Sequence, residues 1–156
     1  MKIEKVGLIE KYVISGTTKS LTNKQKLKLA DKMFKDMYQG KVLTYKKLKE
    51  EMFVYVNKKS RINYSAHKNK ERNKAHIAKL EIAADGQLIA FVSNPEYTYS
   101  KNEKKNGKSV NHKKNQKYHY FLKEVYIDDE LYKILINVQE TTGNKYIIYH
   151  IEMLKK

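Results

Sequence analysis

The succession of sequence patterns predicts an α+β domain in which helices precede an antiparallel sheet. Three observations lead there: residues 22–40 carry helical spacing between clear start and stop signals, residues 117–152 alternate in β fashion through two turn signals, and no composition shift or internal repeat marks a second domain. The chain of 156 residues has the length of one domain, read as 1–156. Within it, 1–60 supplies an N-terminal strand and helices, and 61–156 supplies a further helix and a C-terminal antiparallel meander.

The elements follow in order. Residues 5–15, "KVGLIEKYVIS", alternate loosely and read as a first strand, punctuated by Gly7 and Gly16. In "LTNKQKLKLADKMFKDMYQG", Thr22 followed three residues later by Gln25 forms a capping-box pattern. Leu27, Ala30, Phe34 and Met37 fall on one helical face, and Gly40 suits a left-handed cap. "LTYKKLKEEM" repeats that logic at smaller scale, with Thr44 as N-cap and Tyr45, Leu48 and Met52 at helical spacing, so a short second helix is expected. "FVYVNKKSRINYS" then reads as a hairpin, or a strand and turn, about Asn57–Ser60. From 66 to 92, Ile77, Leu80, Ala84, Leu88 and Phe91 recur at helical spacing; Gly86 is placed to break that helix in two and Pro95 to end it. Residues 100–117, "SKNEKKNGKSVNHKKNQK", read as a basic surface loop. The last third is the sheet: "YHYFLKEVYID" and "ELYKILINVQE" flank a tight turn at Asp128-Asp129, and "TTGNK" turns into "YIIYHIEML".

Composition narrows the chemistry. There is no cysteine, so disulfides, thiolate metal sites and thiol redox chemistry are excluded. No run of about 18 apolar residues is present for a spanning helix, and Glu4, Lys5, Glu10 and Lys11 interrupt the N-terminus where a signal peptide would be apolar. Lys and Arg number 33 against 17 Asp and Glu, a formal charge of +16. Such a field attracts polyanions, nucleic acid foremost; a solvated lysine-rich surface and an acidic protein partner are the other two readings.

"SNPEYTYS" after an aliphatic helix, a basic loop, then "YHYF", "VYIDDELYKILINV" and "GNKYIIYHIE" resemble the phage and polymorphic-toxin nucleases of the barnase, EndoU, colicin and RelE (BECR) superfamily over about residues 60–152. That resemblance implies N-terminal helices packed on a twisted antiparallel sheet, and a metal-independent endoribonuclease toxin cutting tRNA or other RNA. It brings to the site His119 in "YHYF", Lys133 in "LYKI", Thr142 in "TTGN" and Tyr149-His150 in "IYHIE", with His67 and His76 on the preceding basic helix. An acidic immunity protein or antitoxin is the partner expected of such a toxin. Its site of action would be the cytoplasm, reached as part of a secreted or phage-borne toxin.

RNA cleavage without a metal needs a base for the 2′-OH, an acid for the leaving oxygen, and a donor to the crowded phosphate, leaving a 2′,3′-cyclic phosphate. Histidine serves the first two because its pKa lies near neutrality; lysine and threonine serve the third. Alternation puts His119 on a strand face with Lys117, Phe121, Lys123 and Val125, and His150 with Tyr146, Ile148, Glu152 and Leu154. His150 with Tyr149 is the favoured catalytic pair, with His119 or one helix histidine as acid-base partner; of these groups His119 is the less favoured, because in a meander the middle strand holds it about 10 Å from His150. His67 and His76, nine positions apart, turn about 900° on a helix, so at most one joins a site. His112 lies in the basic loop.

No His-Glu-x-x-His run, i, i+4 histidine pair or Asp cluster suggests a metal, and neither a Gly-rich phosphate loop nor a nucleophile elbow is present; no cofactor is expected. Lys133, Lys145, Arg61, Arg72, Lys113, Lys114 and Lys117 are the candidate phosphate contacts. Among 13 tyrosines and no tryptophan, Tyr97, Tyr99, Tyr118 and Tyr120 flank the basic loop as stacking surfaces for bases. Two non-catalytic readings stand beside the nuclease: a nucleic-acid-binding protein of a phage or mobile element, and an inhibitor of an anionic host protein.

Overall fold

The computed structural model describes residues 2–60, 70–103, 116–143 and 145–156. Its chain begins with a hairpin, β1 (Lys2–Val6) and β2 (Ile9–Val13), where a single strand was expected. Gly7, at φ +66°, makes the turn that divides the two. One helical turn, α1 (Gly16–Lys19), leads to α2 (Asn23–Met33), which starts on the expected capping box: Thr22 Oγ1 accepts from Gln25 N, and Gln25 Oε1 accepts from Thr22 N. The helix widens into a π turn over Phe34–Tyr38 and ends there.

The expected second helix is absent: the same residues form a hairpin, β3 (Val42–Lys47) and β4 (Glu50–Tyr55). Tyr45, Leu48 and Met52 suggested a period of 3.6, but the buried residues are Leu43, Tyr45, Met52, Val54 and Val56, a period of two on either side of the turn. Opposite charges also face each other across it, Lys46 with Glu51 and Lys47 with Glu50. A short 3₁₀ turn (Lys58–Ser60) follows; any return strand of the hairpin expected about Asn57–Ser60 lies outside the described residues.

The long helix is split as its glycine implied, into α3 (Lys70–Ala84) and α4 (Leu88–Phe91), with Gly86 at φ +77° between them. β5 (Glu96–Glu103) begins just after Pro95 and takes the start of the segment read as a basic loop, of which 104–115 lie outside the described residues. β6 (Gln116–Ile127), β7 (Glu130–Thr141) and β8 (Lys145–Lys155) form the antiparallel meander, turning at Asp128-Asp129.

The whole corrects the expected layout of N-terminal helices on a twisted antiparallel sheet. Strand is the dominant structure, and the sheet is mixed and curled into a half-barrel, in the order β1-β2-β6-β7-β8-β4-β3, with β5 also on β6. The two N-terminal hairpins flank the meander. β2 joins β6 in parallel at Glu10–Tyr12, and β4 joins β8 in parallel at Val54–Tyr55. β6 therefore has two partners along one edge, β5 for its first half and β2 for its end.

The helices cover the inner face. Tyr12, Phe91, Phe121, Ile134, Ile136, Ile148 and Ile151 are buried between the layers, each full burial stabilising by about 1.5–3 kcal/mol. Tyr45 of β3 ties the sheet to the helices by donating its hydroxyl to the Val92 carbonyl at 2.5 Å, and Tyr38 ties the π turn to α3 by donating to the Ala83 carbonyl at 2.5 Å. Lys26 and Glu81 pair at 3.0 Å between α2 and α3.

Leu48 sits in the β3–β4 turn at φ +54° with 73% of its surface exposed, so its side chain contributes strain and almost no packing. Leu48→Gly is expected to raise stability by about 1 kcal/mol in chemical denaturation. In a helix the same change would lower it by about 1 kcal/mol; a loss of that size refutes the hairpin.

Candidate functional site

Alternation along β6 separates two chemically different surfaces. Its odd residues face the helices and its even residues face outward, and β-bulges in the neighbouring strands decide what meets each.

On the inner face His119 is buried, 1% exposed, yet both ring nitrogens are met: Nδ1 lies 2.6 Å from Ser100 Oγ on β5, and Nε2 lies 3.0 Å from Glu140 Oε1 on β7. Tyr97 OH lies 2.6 Å from the same Ser100 Oγ. A bulge between Tyr97 and Tyr99 makes this arrangement, since residues 97 and 100 would otherwise point to opposite faces. Tyr146 packs edge-on against the imidazole at 5.6 Å. Burial pushes the His119 pKa down; Glu140 opposes the shift, while the Lys47 and Lys117 charges add to it.

Nothing in the chain's local pattern marks Ser100, Glu140 or Lys47 as members of a site. They become neighbours through register across β5, β6 and β7 and through the approach of β3, which no single segment encodes.

His150 is not with His119. A second bulge, between Asn137 and Val138 in the β7–β8 register, leaves Tyr149 as the extra residue of β8. Beyond that bulge the alternation is reversed relative to Ile148, which is buried, so His150 turns outward. The two histidines lie on opposite faces of the sheet with β7 between them. They cannot act as acid and base on one phosphate, and the expected partnership of His119 is corrected accordingly.

The outer face is aromatic. In register, Tyr99, Tyr120, Asn137 and His150 form one row across β5, β6, β7 and β8. Lys101, Tyr118, Gln139, Ile147, Tyr55 and Val42 form the next, continuing through β4 to β3. Tyr99 stacks on Tyr120, with ring centres 4.5 Å apart and planes 18° from parallel; Tyr118 meets Tyr149 at 5.5 Å. Tyr118 and Tyr120 are buried as the foundation, whereas Tyr99 (49%), Tyr149 (44%) and Phe53 (55%) are open. Of the tyrosines expected to offer stacking surfaces, only Tyr99 has its ring open to solvent, joined by Tyr149; Tyr118 and Tyr120 are covered, and Tyr97 is turned inward against Phe121.

The other candidates scatter. Lys145 is exposed where β8 begins, and Thr142 is exposed in the turn before it. Lys133 stands opposite Glu124, which weakens its field for a phosphate. Lys117 is half-buried on the His119 side. His76 is half-buried on α3. His67, His112, Arg61, Lys113 and Lys114 lie outside the described residues, as does the side chain of Arg72. Among the described residues no three histidines or carboxylates gather as a metal-ligand set.

One buried cation is unanticipated. β4 accompanies β8 only at Tyr146 and Ile147, and along the rest of that strand Lys79 of α3 donates to the Ile151 carbonyl at 3.0 Å. Burial lowers its pKa to about 8, against the charge of Glu152. The His150 pKa is also lowered, by burial first and then by Lys79.

Comparison with family models, with curated proteins and with solved structures returns no match.

The Lys79 shift has a definite sign. Its folded pKa lies below the unfolded value, so between about pH 8 and 10 the unfolded chain binds more protons and stability rises with pH. Denaturation midpoints taken from pH 7.5 to about 9.5 are expected to climb in the wild type and to climb less in Lys79→Met, which removes the buried charge. Equal slopes would place the ammonium in water.

Proposed function

We propose that the chain is a nucleic-acid-binding protein that seats single-stranded RNA on the outer face of its sheet. The stacked Tyr99–Tyr120 pair, with Tyr99 open to solvent, is the observation that carries this reading. An exposed ring backed by a second ring is already ordered, so a base can stack on it at little further entropic cost. Tyr149 and Phe53 extend the surface across the sheet, and by alternation Lys101 and Lys145 share it. The charge of +16 supplies the long-range attraction for phosphates.

Unpaired bases fit such a face better than a duplex does, because a duplex keeps its base faces stacked internally and offers a sheet only its backbone. The lysines contribute affinity that depends on salt; the tyrosines contribute a stacking component that depends on it far less.

The toxin reading from the sequence retains His150, which stands at the end of the Tyr99 row on the face proposed for RNA. Its lowered pKa favours the neutral imidazole, the form a base for the 2′-OH must have. His119 supplies no acid on that face. Cleavage, if it accompanies binding, is the work of His150 with groups other than His119.

Fluorescence anisotropy with a labelled 12-nucleotide RNA tests the reading. Single strands are expected to bind more tightly than duplex at equal salt. Tyr99→Ala and Tyr149→Ala should each weaken binding by about 5- to 150-fold, the equivalent of one stacked base. Lys101→Gln and Lys145→Gln should each reduce the slope of log K against log salt by about 0.7. Tighter duplex binding with no effect of the tyrosine changes refutes the platform, as does binding only to an acidic protein. Incubation with tRNA in EDTA reads cleavage separately: cyclic-phosphate ends lost in His150→Ala support the nuclease.

A further inference from the structure

The inner-face cluster lies on the side of the sheet away from the RNA platform and is independent of it. Glu140, as a carboxylate, can only accept hydrogen bonds, so His119 Nε2 bears the ring proton and donates across the 3.0 Å contact. A neutral imidazole then presents a lone pair at Nδ1, and the 2.6 Å contact there must be Ser100 O–H donating to it. Having given its only proton to His119, Ser100 Oγ accepts from Tyr97 O–H at 2.6 Å. Every direction in the chain Tyr97, Ser100, His119, Glu140 is thereby fixed.

That is the order of a nucleophile, a base and an orienting acid, with the serine hydroxyl held toward the base by geometry. The imidazole is buried, as an oriented base should be, while Ser100 on β5 is half-exposed. Lys47 lies over the Tyr97 ring, 5.6 Å from its centre, and its charge reaches His119, as does that of Lys117. A histidine needed for packing alone would require only that its two nitrogens be met. It would not require a half-exposed serine as the donor, a tyrosine hydroxyl on that serine's far side, and two cations beside them.

We propose that Ser100, His119 and Glu140 form a serine-nucleophile site for carboxylic esters that carry a negative charge. Ser100 Oγ attacks the carbonyl carbon while its proton passes to His119 Nδ1. As the carbonyl oxygen takes up charge, the Tyr97 hydroxyl turns from Ser100 Oγ to donate to it, and the Lys47 charge beside the Tyr97 ring stabilises it. The C–O bond to the leaving alcohol breaks, the alcohol takes the proton from His119, and an acyl-Ser100 remains. Water then adds its oxygen to the acyl carbon as His119 Nδ1 takes its proton; the C–Oγ bond breaks, His119 returns that proton to Ser100 Oγ, and the carboxylic acid leaves. Water is the second reactant, and no oxidant or metal enters. The two lysines select an anionic acyl group over a neutral one.

The full chain treated with a fluorophosphonate probe tests the site. Oγ–P forms, P–F breaks, and fluoride leaves with the serine proton taken up by His119. One adduct is expected, on Ser100 by peptide mass spectrometry, and none in Ser100→Ala. His119→Gln should label about 10²- to 10⁴-fold more slowly, the usual worth of a general base. Glu140→Gln, a positioning change, should slow labelling while leaving the adduct on Ser100. Mono-p-nitrophenyl succinate should be cleaved faster than p-nitrophenyl butyrate, with the preference reduced in Lys47→Gln. Absence of an adduct on folded wild-type protein, or an adduct on another serine, overturns the proposal even if the variants do not fold. So does unchanged labelling in folded His119→Gln.

Discussion

The ammonium of Lys123 is the junction on which the layers are assembled. It lies where β6 exchanges one neighbour for another, since β5 accompanies β6 up to Leu122 and β2 from Val125 onward. Nζ reaches the carbonyls of Ala90, Phe91 and Ser93 at 3.1, 3.3 and 2.6 Å, at the C-terminal end of α4. It also pairs with Glu10 of β2 at 2.7 Å. Burial disfavours this cation, and Glu10 opposes the effect. Remove the charge and three carbonyls and a carboxylate are left facing one another in a low dielectric. One side chain thus fixes the end of α4, the entry of β2, and the distance from α4 to the start of β5.

With β5 held in that way, its bulge gains its effect. Strict alternation would send either Tyr97 or Ser100 outward. The extra residue instead turns both toward His119, while Tyr99 stacks on Tyr120 on the other side. The bulge in β8 does the converse, leaving Tyr146 against His119 and turning His150 out beside Tyr149. Bulges re-aim side chains without disturbing the ladder at large. These two sort the aromatic and titratable residues of the sheet between its faces.

What the sequence discloses is what local chemistry encodes. The capping box at Thr22 and Gln25, the break at Gly86, and the turn at Asp128-Asp129 each depend on a few neighbouring residues, and each is where its residues imply. The β3–β4 hairpin is concealed because its turn is Leu48-Lys49 rather than a Gly or Asn pair, so no turn signal interrupts a spacing that also suits a helix. Parallel contacts of β2 with β6 and β4 with β8 join segments more than 90 residues apart, and no local pattern announces them. His119 was recognisable as a candidate, but its partners were not. Ser100 is an ordinary strand serine until a bulge and a cross-strand register deliver it.

The two faces also constrain each other through β6. Its residues 118 and 120 support the outer aromatics, and its residues 119 and 121 belong to the inner network and core. A slip of one residue would expose His119 and Phe121 and press Tyr118 and Tyr120 into the helices. Such a slip is opposed on both sides at once: Phe121 is packed between Tyr45 and Tyr97, and His119 is bound at both nitrogens. The polar network therefore does structural service whatever chemistry it performs, because it pins the register that keeps Tyr99 and Tyr149 in solvent. The surface proposed for bases needs rings that are exposed yet immobile. In this sheet the immobility comes from the opposite face.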